Sequence, residues 1–369
     1  MKRTRFVAIG GFLGAGKTTT VLRSLEILRA RGLKGVYIAN DQGEGLVDTA
    51  FAREAQAETE EIIGGCFCCR FDDLIGTATR IAETSQPDVI LAEAVGSCTD
   101  LIATVINPIK MRHARRFDVA PYTVVVDPER YAELNNSREG DELRYLFGKQ
   151  LEEAQIIALN KTDLLSGEDL GKLTGKLQTL SPRADVIAYS AQVGIHLDNL
   201  VDRWLGETSS EARALELSYD IYARAEAGLA WLNAEVNIEA SSESFRPTAW
   251  VQDLLGGLAK LLDETGSRIG HLKVSFETDT GFTKASVIGN GSEVHFSRVQ
   301  PVPASVGKVL INARAELEPE QLATLLKDAL NQADIATKVT SQLFRLDVFS
   351  PSRPEPAHRL EYDGRPLSW

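Results

Sequence analysis

The chain has 369 residues, of which 43% are hydrophobic and 25% charged, a globular composition long enough for two domains that excludes collagen, low-complexity disorder and a fibre. Its net charge of −12 gives an overall field that opposes nucleic acid, so no nucleic-acid partner is expected. No run of 18 apolar residues occurs, so no membrane span is expected.

The opening MKRTRFVAIGGFLGAGK has the basic start and apolar stretch of a signal peptide, but glycines break it and no small-residue cleavage site follows. It reads as a mature N-terminus, with the protein expected in the cytoplasm. Strand-like runs then alternate with helical patterns: Arg5–Gly10, a helix over Lys17–Arg31, and strands at Gly35–Ala39, Asp88–Ala92, Pro121–Val126, Ile156–Asn160 and Asp185–Tyr189. Short β-branched runs separated by helices predict βαβ units, hence an α/β domain with a mostly parallel sheet.

The texture changes near Glu207–Glu211. A helix is expected over Leu215–Ala230, then strands at Trp231–Ala240, Leu272–Phe276, Ala285–Gly289, Val309–Glu316 and Leu343–Phe349, with helices over Pro247–Glu264 and Glu318–Gln332. This order predicts a smaller α+β domain of the ferredoxin-like, split βαβ kind. The expected organisation is a P-loop domain over 1–208, a helical linker over 209–230 and a C-terminal domain over 231–369 with an irregular tail.

Gly11-Phe12-Leu13-Gly14-Ala15-Gly16-Lys17-Thr18 fits G-x-x-x-x-G-K-[ST] between a strand and a helix, the phosphate-binding loop of an NTPase. The N–H groups of Gly11, Gly14, Ala15 and Gly16, continuing into Lys17, Thr18 and Thr19 at the helix N-terminus, would cradle phosphates. Lys17 would reach the β- and γ-phosphates, and the Thr18 hydroxyl would ligate Mg²⁺.

Asn160-Lys161-Thr162-Asp163 follows a strand, as the guanine-reading N-K-x-D sequence does. A carboxylate at Asp163 accepts from N1–H and the N2 amino group of guanine, a donor pattern adenine lacks. Asn160 would help hold loop and base, and the Lys161 stem would cover the base. Ser190-Ala191 stands where a backbone contact to guanine O6 belongs. Alone, N-K-x-D is a weak signal, and a helix-capping loop of an ATPase is its rival; behind a P-loop it predicts GTP and GDP as ligands.

Asn40-Asp41-Gln42-Gly43-Glu44-Gly45 and Glu93-Ala94-Val95-Gly96 end strands at the edge that would face the γ-phosphate. Glu93 is placed to hold Mg²⁺, directly or through water, and Gly96 to donate its N–H. Asp41 and Glu44 are candidates for orienting the attacking water.

Three of the four cysteines, Cys66, Cys68 and Cys69, stand behind Gly64-Gly65, and Cys98 follows Gly96. Three neighbouring thiols can hold one soft or borderline metal, Zn²⁺ or Co²⁺ with Ni²⁺ ranked behind them, and Cys98 is a candidate further ligand. A redox dithiol and a buried structural trio are the competing readings. Glu54, Glu58, Glu60 and Glu61 read as a solvated acidic face, and the five histidines as ordinary residues.

GGFLGAGKTT, GGCFCC, ExxG and NKTD together resemble the CobW-like metallochaperone GTPases, which are similar to the HypB and UreG proteins. The resemblance covers roughly the first 200 residues. It implies a GTPase that binds a transition metal at Cys66, Cys68 and Cys69, with hydrolysis switching its metal affinity or its contact with a client; release of metal to a client metalloprotein docked on the C-terminal domain is the expected outcome. Lys17 and Thr18 would serve phosphate and Mg²⁺, and Asn160 and Asp163 guanine. A GTP-linked dimer fits the same picture. The rival functions are a GTP-dependent activator of a metalloenzyme or corrinoid protein that carries no metal itself, and a redox or metal sensor. The chain departs from the family in reading NDQGE after the second strand and SCTD after ExxG.

Overall fold

The computed structural model describes residues 2–41, 47, 58–138, 140–241 and 243–368. The chain divides into two units: Met1–Gln42, Ala52–Ala225 and Arg353–Trp369 form the first, and Gly43–Phe51 with Glu226–Ser352 the second.

In the first unit the apolar runs become parallel strands: β1 (Thr4–Gly10), β2 (Gly35–Asp41), β3 (Thr59–Ile63), β4 (Val89–Glu93), β5 (Phe117–Val119), β6 (Thr123–Val126), β7 (Ile156–Leu159) and β8 (Asp185–Ala188). They lie in the order β3-β2-β4-β1-β6-β7-β8, with β5 also paired to β1. Every residue of β1, β4, β6 and β7 is buried, as strands covered on both faces require. Register aligns Ile9 of β1 with Glu93 of β4 and with Thr123 of β6, so the loops after these strands open at one sheet edge. That edge, at the strands' C-terminal ends, is where ligands bind in open α/β sheets.

Two of these strands were not legible. β3 reads TEEII, with acidic residues where an apolar run would be sought, and β5 is only three residues long. The helix expected over Leu215–Ala230 is shorter, Tyr219–Ala227.

The second unit is a six-stranded antiparallel sheet of β9 (Ala230–Ala240), β10 (Ile269–Thr278), β11 (Gly281–Val287), β12 (His295–Arg298), β13 (Val306–Ala315) and β14 (Val339–Phe349), ordered β12-β11-β10-β13-β9-β14. Strands β10-β13-β9-β14 with the helices Pro247–Thr265 and Pro319–Thr337 are the split βαβ arrangement expected from sequence. β11 and β12 extend it on the β10 side. The hairpin turn falls at Thr278–Gly281 as expected, and β11 ends at Val287. Both helices start on a proline, whose fixed φ suits the first turn. Leu254, Leu258 and Leu262 bury one helical stripe, and Leu322, Leu326, Ala329 and Ala333 the other. Trp250 Nε1 donates to Asp334 Oδ1 at 2.9 Å, tying the helices together.

Residues 353–369 pack with the first unit, not with the α+β domain assigned to them from sequence. Tertiary bonds hold them there: Leu360 N donates to Ala103 O at 2.9 Å, and Arg359 pairs with Asp100 at 2.7 Å.

Candidate functional site

The loop after β1 runs through left-handed backbone at Gly11 (φ 128°) and Gly16 (φ 92°). A Cβ at Gly11 would stand 2.3 Å from Val125 O, and one at Gly16 2.4 Å from Asn160 Nδ2, so both positions admit only glycine. Lys17 Nζ donates to Gly11 O at 2.8 Å and Phe12 O at 3.3 Å, which folds the ammonium over its own loop. Thr18 and Thr19 lie in the first turn of the helix Lys17–Ala30, where backbone N–H groups have no partner within a helix.

Glu93 is buried at the end of β4. Its Oε1 accepts from Thr18 Oγ1 at 3.0 Å and its Oε2 from Tyr37 Oη at 2.6 Å. Two residues assigned to Mg²⁺ from sequence are therefore in direct contact, and Tyr37 is a partner the sequence did not indicate. Gly96 is pressed against the P-loop, since a Cβ there would meet Leu13 N at 3.1 Å and Leu13 Cδ2 at 2.6 Å.

Asn160 is buried and bridges two loops. Its Nδ2 donates to Ala15 O at 3.0 Å, and its Oδ1 accepts from Ala191 N at 3.0 Å. Its amide thus fixes the P-loop and the 190–191 loop to each other. Ser190 N donates to Ile195 O at 2.9 Å, so the N–H groups of Ser190 and Ala191 both bond within the protein. Lys161, at φ 57°, donates to Gly14 O at 3.1 Å and pairs with Asp127. Asp163 is exposed in the single 3-10 turn Thr162–Leu164. Asp127 is a site residue that sequence reading missed. It also caps the helix Pro128–Asn135, accepting from Glu129 N at 2.7 Å. The dipeptide Asp127-Pro128 carried that signal, a capping carboxylate followed by proline at the first helical position.

The thiols occupy the turn after β3. Asn40 holds it: its Nδ2 donates to Ile62 O at 3.0 Å and Gly65 O at 2.8 Å, and its Oδ1 accepts from Phe67 N at 2.9 Å. Gly64 at φ 82° and Gly65 at φ 154° let the chain reverse before the cysteines. The Sγ of Cys66 lies 2.7 Å from that of Cys68 and 3.4 Å from that of Cys69, and Cys68 and Cys69 are 3.8 Å apart. Cys66 and Cys68 are buried and Cys69 is half-buried. Hydrogen bonds with Cys68, then with Cys69 and Cys98, hold the Cys66 thiol well below the usual thiol range. The same contacts push Cys68 well up, and the bond to Cys66 is the first cause pushing Cys69 up to about 12.

Cys98 is wholly buried on the loop after Gly96 and bonds to Cys66 and Cys68. Among the described residues, only Cys66, Cys68 and Cys69 lie mutually within 4.8 Å as a ligand group. Asp41 is described as the backbone end of β2. Gln42 to Glu44 and Glu54 lie outside the described residues. Glu58 and Glu60 pair on the surface with Lys34 and Arg80, the solvated face expected of them.

A strand–glycine loop–helix bearing Lys17 and Thr18 against Glu93, at the C-terminal edge of a parallel sheet, defines a P-loop nucleotide-binding protein. Residues 5–188 match the family model described as CobW/HypB/UreG, nucleotide-binding domain, and through this domain the chain belongs to the CobW/HypB/UreG family. It is similar to the protein named zinc chaperone CobW of Pseudomonas aeruginosa, 29% identical over 206 residues that make up 48% of this chain and 53% of that one. It is also similar to the zinc chaperone CobW of a Sinorhizobium species, 31% identical over 202 residues, 47% of this chain and 55% of that one. A third relative is the zinc-regulated GTPase metalloprotein activator 1 of Dictyostelium discoideum, 27% identical over 219 residues, 48% of this chain and 44% of that one. The chain thus spans about half the length of the curated relatives it matches. No helix among the described residues is long and apolar enough to cross a membrane.

Proposed function

We propose that the protein is a GTP-hydrolysing metallochaperone of the cytoplasm. In this reading it takes up a transition metal on Cys66, Cys68 and Cys69, with Cys98 as a further donor, and passes it to a client metalloprotein through the second unit. The grouping of three sulfurs within 4.8 Å carries the reading. Sulfurs bound at about 2.3 Å around a tetrahedral ion stand about 3.8 Å apart, the spacing of Cys68 and Cys69. Cys66 and Cys68 need to separate by about 1 Å, which loss of the proton between them would favour. Thiolate donors suit Zn²⁺ or Co²⁺, and the names of the relatives favour zinc as cargo.

Thr18 and Glu93 fit Mg²⁺: hydroxyl and carboxylate oxygens lie 3.0 Å apart beside the P-loop. The ion would neutralise charge that develops on the phosphates. With GTP bound, Lys17 exchanges the carbonyls of Gly11 and Phe12 for phosphate oxygens, and Asp163 accepts from the base. Gly96 donates its N–H toward the γ-phosphate, and Cys98 stands two residues further on. Movement of this loop on hydrolysis would shift Cys98 against Cys66 and Cys68 and loosen the metal. If GTP tightens metal binding, metal tightens GTP binding by the same factor.

Anaerobic titration of the reduced protein with Co²⁺, in Mg²⁺–GDP and in a Mg²⁺–GTP analogue, tests this. Thiolate charge-transfer absorption that depends on Cys66, Cys68 and Cys69 and strengthens with the GTP analogue is expected. Absence of thiolate absorption in both states would reject metal carriage and leave a GTPase with structural cysteines.

A further inference from the structure

The last part of the chain lies against the thiols. Glu355 N donates to Cys69 Sγ at 3.3 Å, and Ala357 N donates to Cys68 O at 2.9 Å. Pro354, Pro356 and Leu360 are buried along this path. Leu360 is anchored on both sides, its N–H to Ala103 O and its carbonyl to Asn107 Nδ2, each at 2.9 Å. These contacts all lie within the first unit.

One buried ion pair fastens this segment to the nucleotide loop. Arg359 Nε donates to Asp100 Oδ2 at 2.7 Å, and the Asp100 side chain is wholly enclosed. Tyr219 Oη donates to the same oxygen at 2.8 Å. Asp100 stands four residues after Gly96 and holds φ 63°, a conformation that a non-glycine residue keeps only where its surroundings impose it. Glu153 ties the residues around it, accepting from the Thr99 side chain through Oγ1 at 2.9 Å and from Ile102 N at 3.3 Å. The guanidinium Nη2 also donates to Leu215 O at 2.6 Å. A movement of the loop after Gly96 therefore displaces a carboxylate whose separation from the buried Arg359 guanidinium carries a large cost.

We propose that the segment Arg353–Leu360 is the cover of the thiol site, and that the Asp100–Arg359 pair makes it open or stay shut with the loop after Gly96, so that metal enters and leaves past this segment. The inference rests on the metal-binding reading above for its cargo, but the cover itself is a matter of thiol access. Closed, it adds an N–H to Cys69 and keeps water and competing ligands from Cys66 and Cys68. Open, it exposes three sulfurs to an acceptor.

The test uses the full reduced chain and two readouts: the rate at which a thiol reagent labels Cys69, and the rate at which a chelator removes Co²⁺. Arg359→Gln is expected to raise both by at least about tenfold, because it leaves Asp100 buried without its cation. A GTP analogue is expected to change the labelling rate of the parent protein but not of Arg359→Gln. Glu355→Pro, which deletes the N–H donor, is expected to speed labelling, whereas Glu355→Ala, which keeps it, is not; this pair decides the matter if Arg359→Gln fails to fold. Equal labelling rates in parent, Arg359→Gln and Glu355→Pro would overturn the cover while leaving metal binding intact. Faster labelling in a protein that takes up no Co²⁺ would uphold the cover and reject the cargo.

Discussion

Thr18 Oγ1 donates to Glu93 Oε1 at 3.0 Å, joining the first turn of the P-loop helix to the end of the neighbouring strand β4. Both oxygens would turn to Mg²⁺ once nucleotide arrives. Glu93→Gln keeps an oxygen for Thr18 and removes the charge. It is expected to weaken the Mg²⁺-dependent part of GTP binding about ten- to hundredfold, the worth of one charge-assisted contact. Titrating Mg²⁺ against binding of a fluorescent GTP analogue checks it, and an unchanged Mg²⁺ dependence would remove Glu93 from that role.

Asp163 and Asn160 should separate cleanly. Asp163→Asn places an N–H₂ donor against guanine's own donors, with an expected loss of at least about a hundredfold in GTP affinity. The same amide can donate to the C2 carbonyl of xanthine, so xanthosine triphosphate should become the better ligand. Asn160→Ala instead unties Ala15 from Ala191 and costs about 1–3 kcal/mol of stability without changing base preference. Nucleotide competition and urea midpoints on the two variants distinguish the roles.

The thiols predict proton release. Cys66 is held below the usual thiol range, whereas Cys68 is pushed up and Cys69 rises to about 12. With Cys66 as the one thiolate of the metal-free cluster, loading Cys66, Cys68 and Cys69 is expected to expel two protons. Metal affinity should then rise about hundredfold per pH unit around neutrality. A pH indicator in weakly buffered anaerobic titration of the parent and of Cys98→Ser counts the protons; a third proton that disappears in Cys98→Ser would come from Cys98, and one that persists there would mean that Cys66 starts protonated.

Glu153 gives a second pH effect of opposite origin. Burial, then the charge of Asp100, pushes its carboxyl up to about 8. The folded protein keeps this proton, while the unfolded chain has lost it above about pH 4.3. Protonation thus favours the folded state, and its contribution is complete below the unfolded value and lost as pH rises to the folded one. Stability should fall by about 1.4 kcal/mol per unit between about pH 5 and 8. Glu153→Gln should flatten that slope in denaturant unfolding, and identical slopes would count against a protonated Glu153.

What could be read from sequence was local. Gly11 to Thr18 carry their own geometry, because glycine placement and one strand–helix junction dictate the loop. Five of the second unit's six strands could be read, the four-residue β12 being too short to show, and the three clustered cysteines announce themselves by spacing. Asn40 illustrates the opposite case. It lay in the run expected to face phosphate, yet its amide holds the cysteine turn through Gly65 and Phe67. Pairings such as Arg359 with Asp100, separated by 259 residues, leave no periodic signal, since each residue alone reads as a solvated charge.

The return of the chain end to the first unit also sets an order in time. Cys69 is made 286 residues before Glu355, the residue whose N–H reaches its sulfur. At about 5–20 residues per second, translation leaves that sulfur without its partner for roughly fifteen seconds to a minute. The thiols of a nascent chain are therefore exposed to their surroundings before Glu355 can reach Cys69, a state the folded chain would re-enter only when that segment lifts.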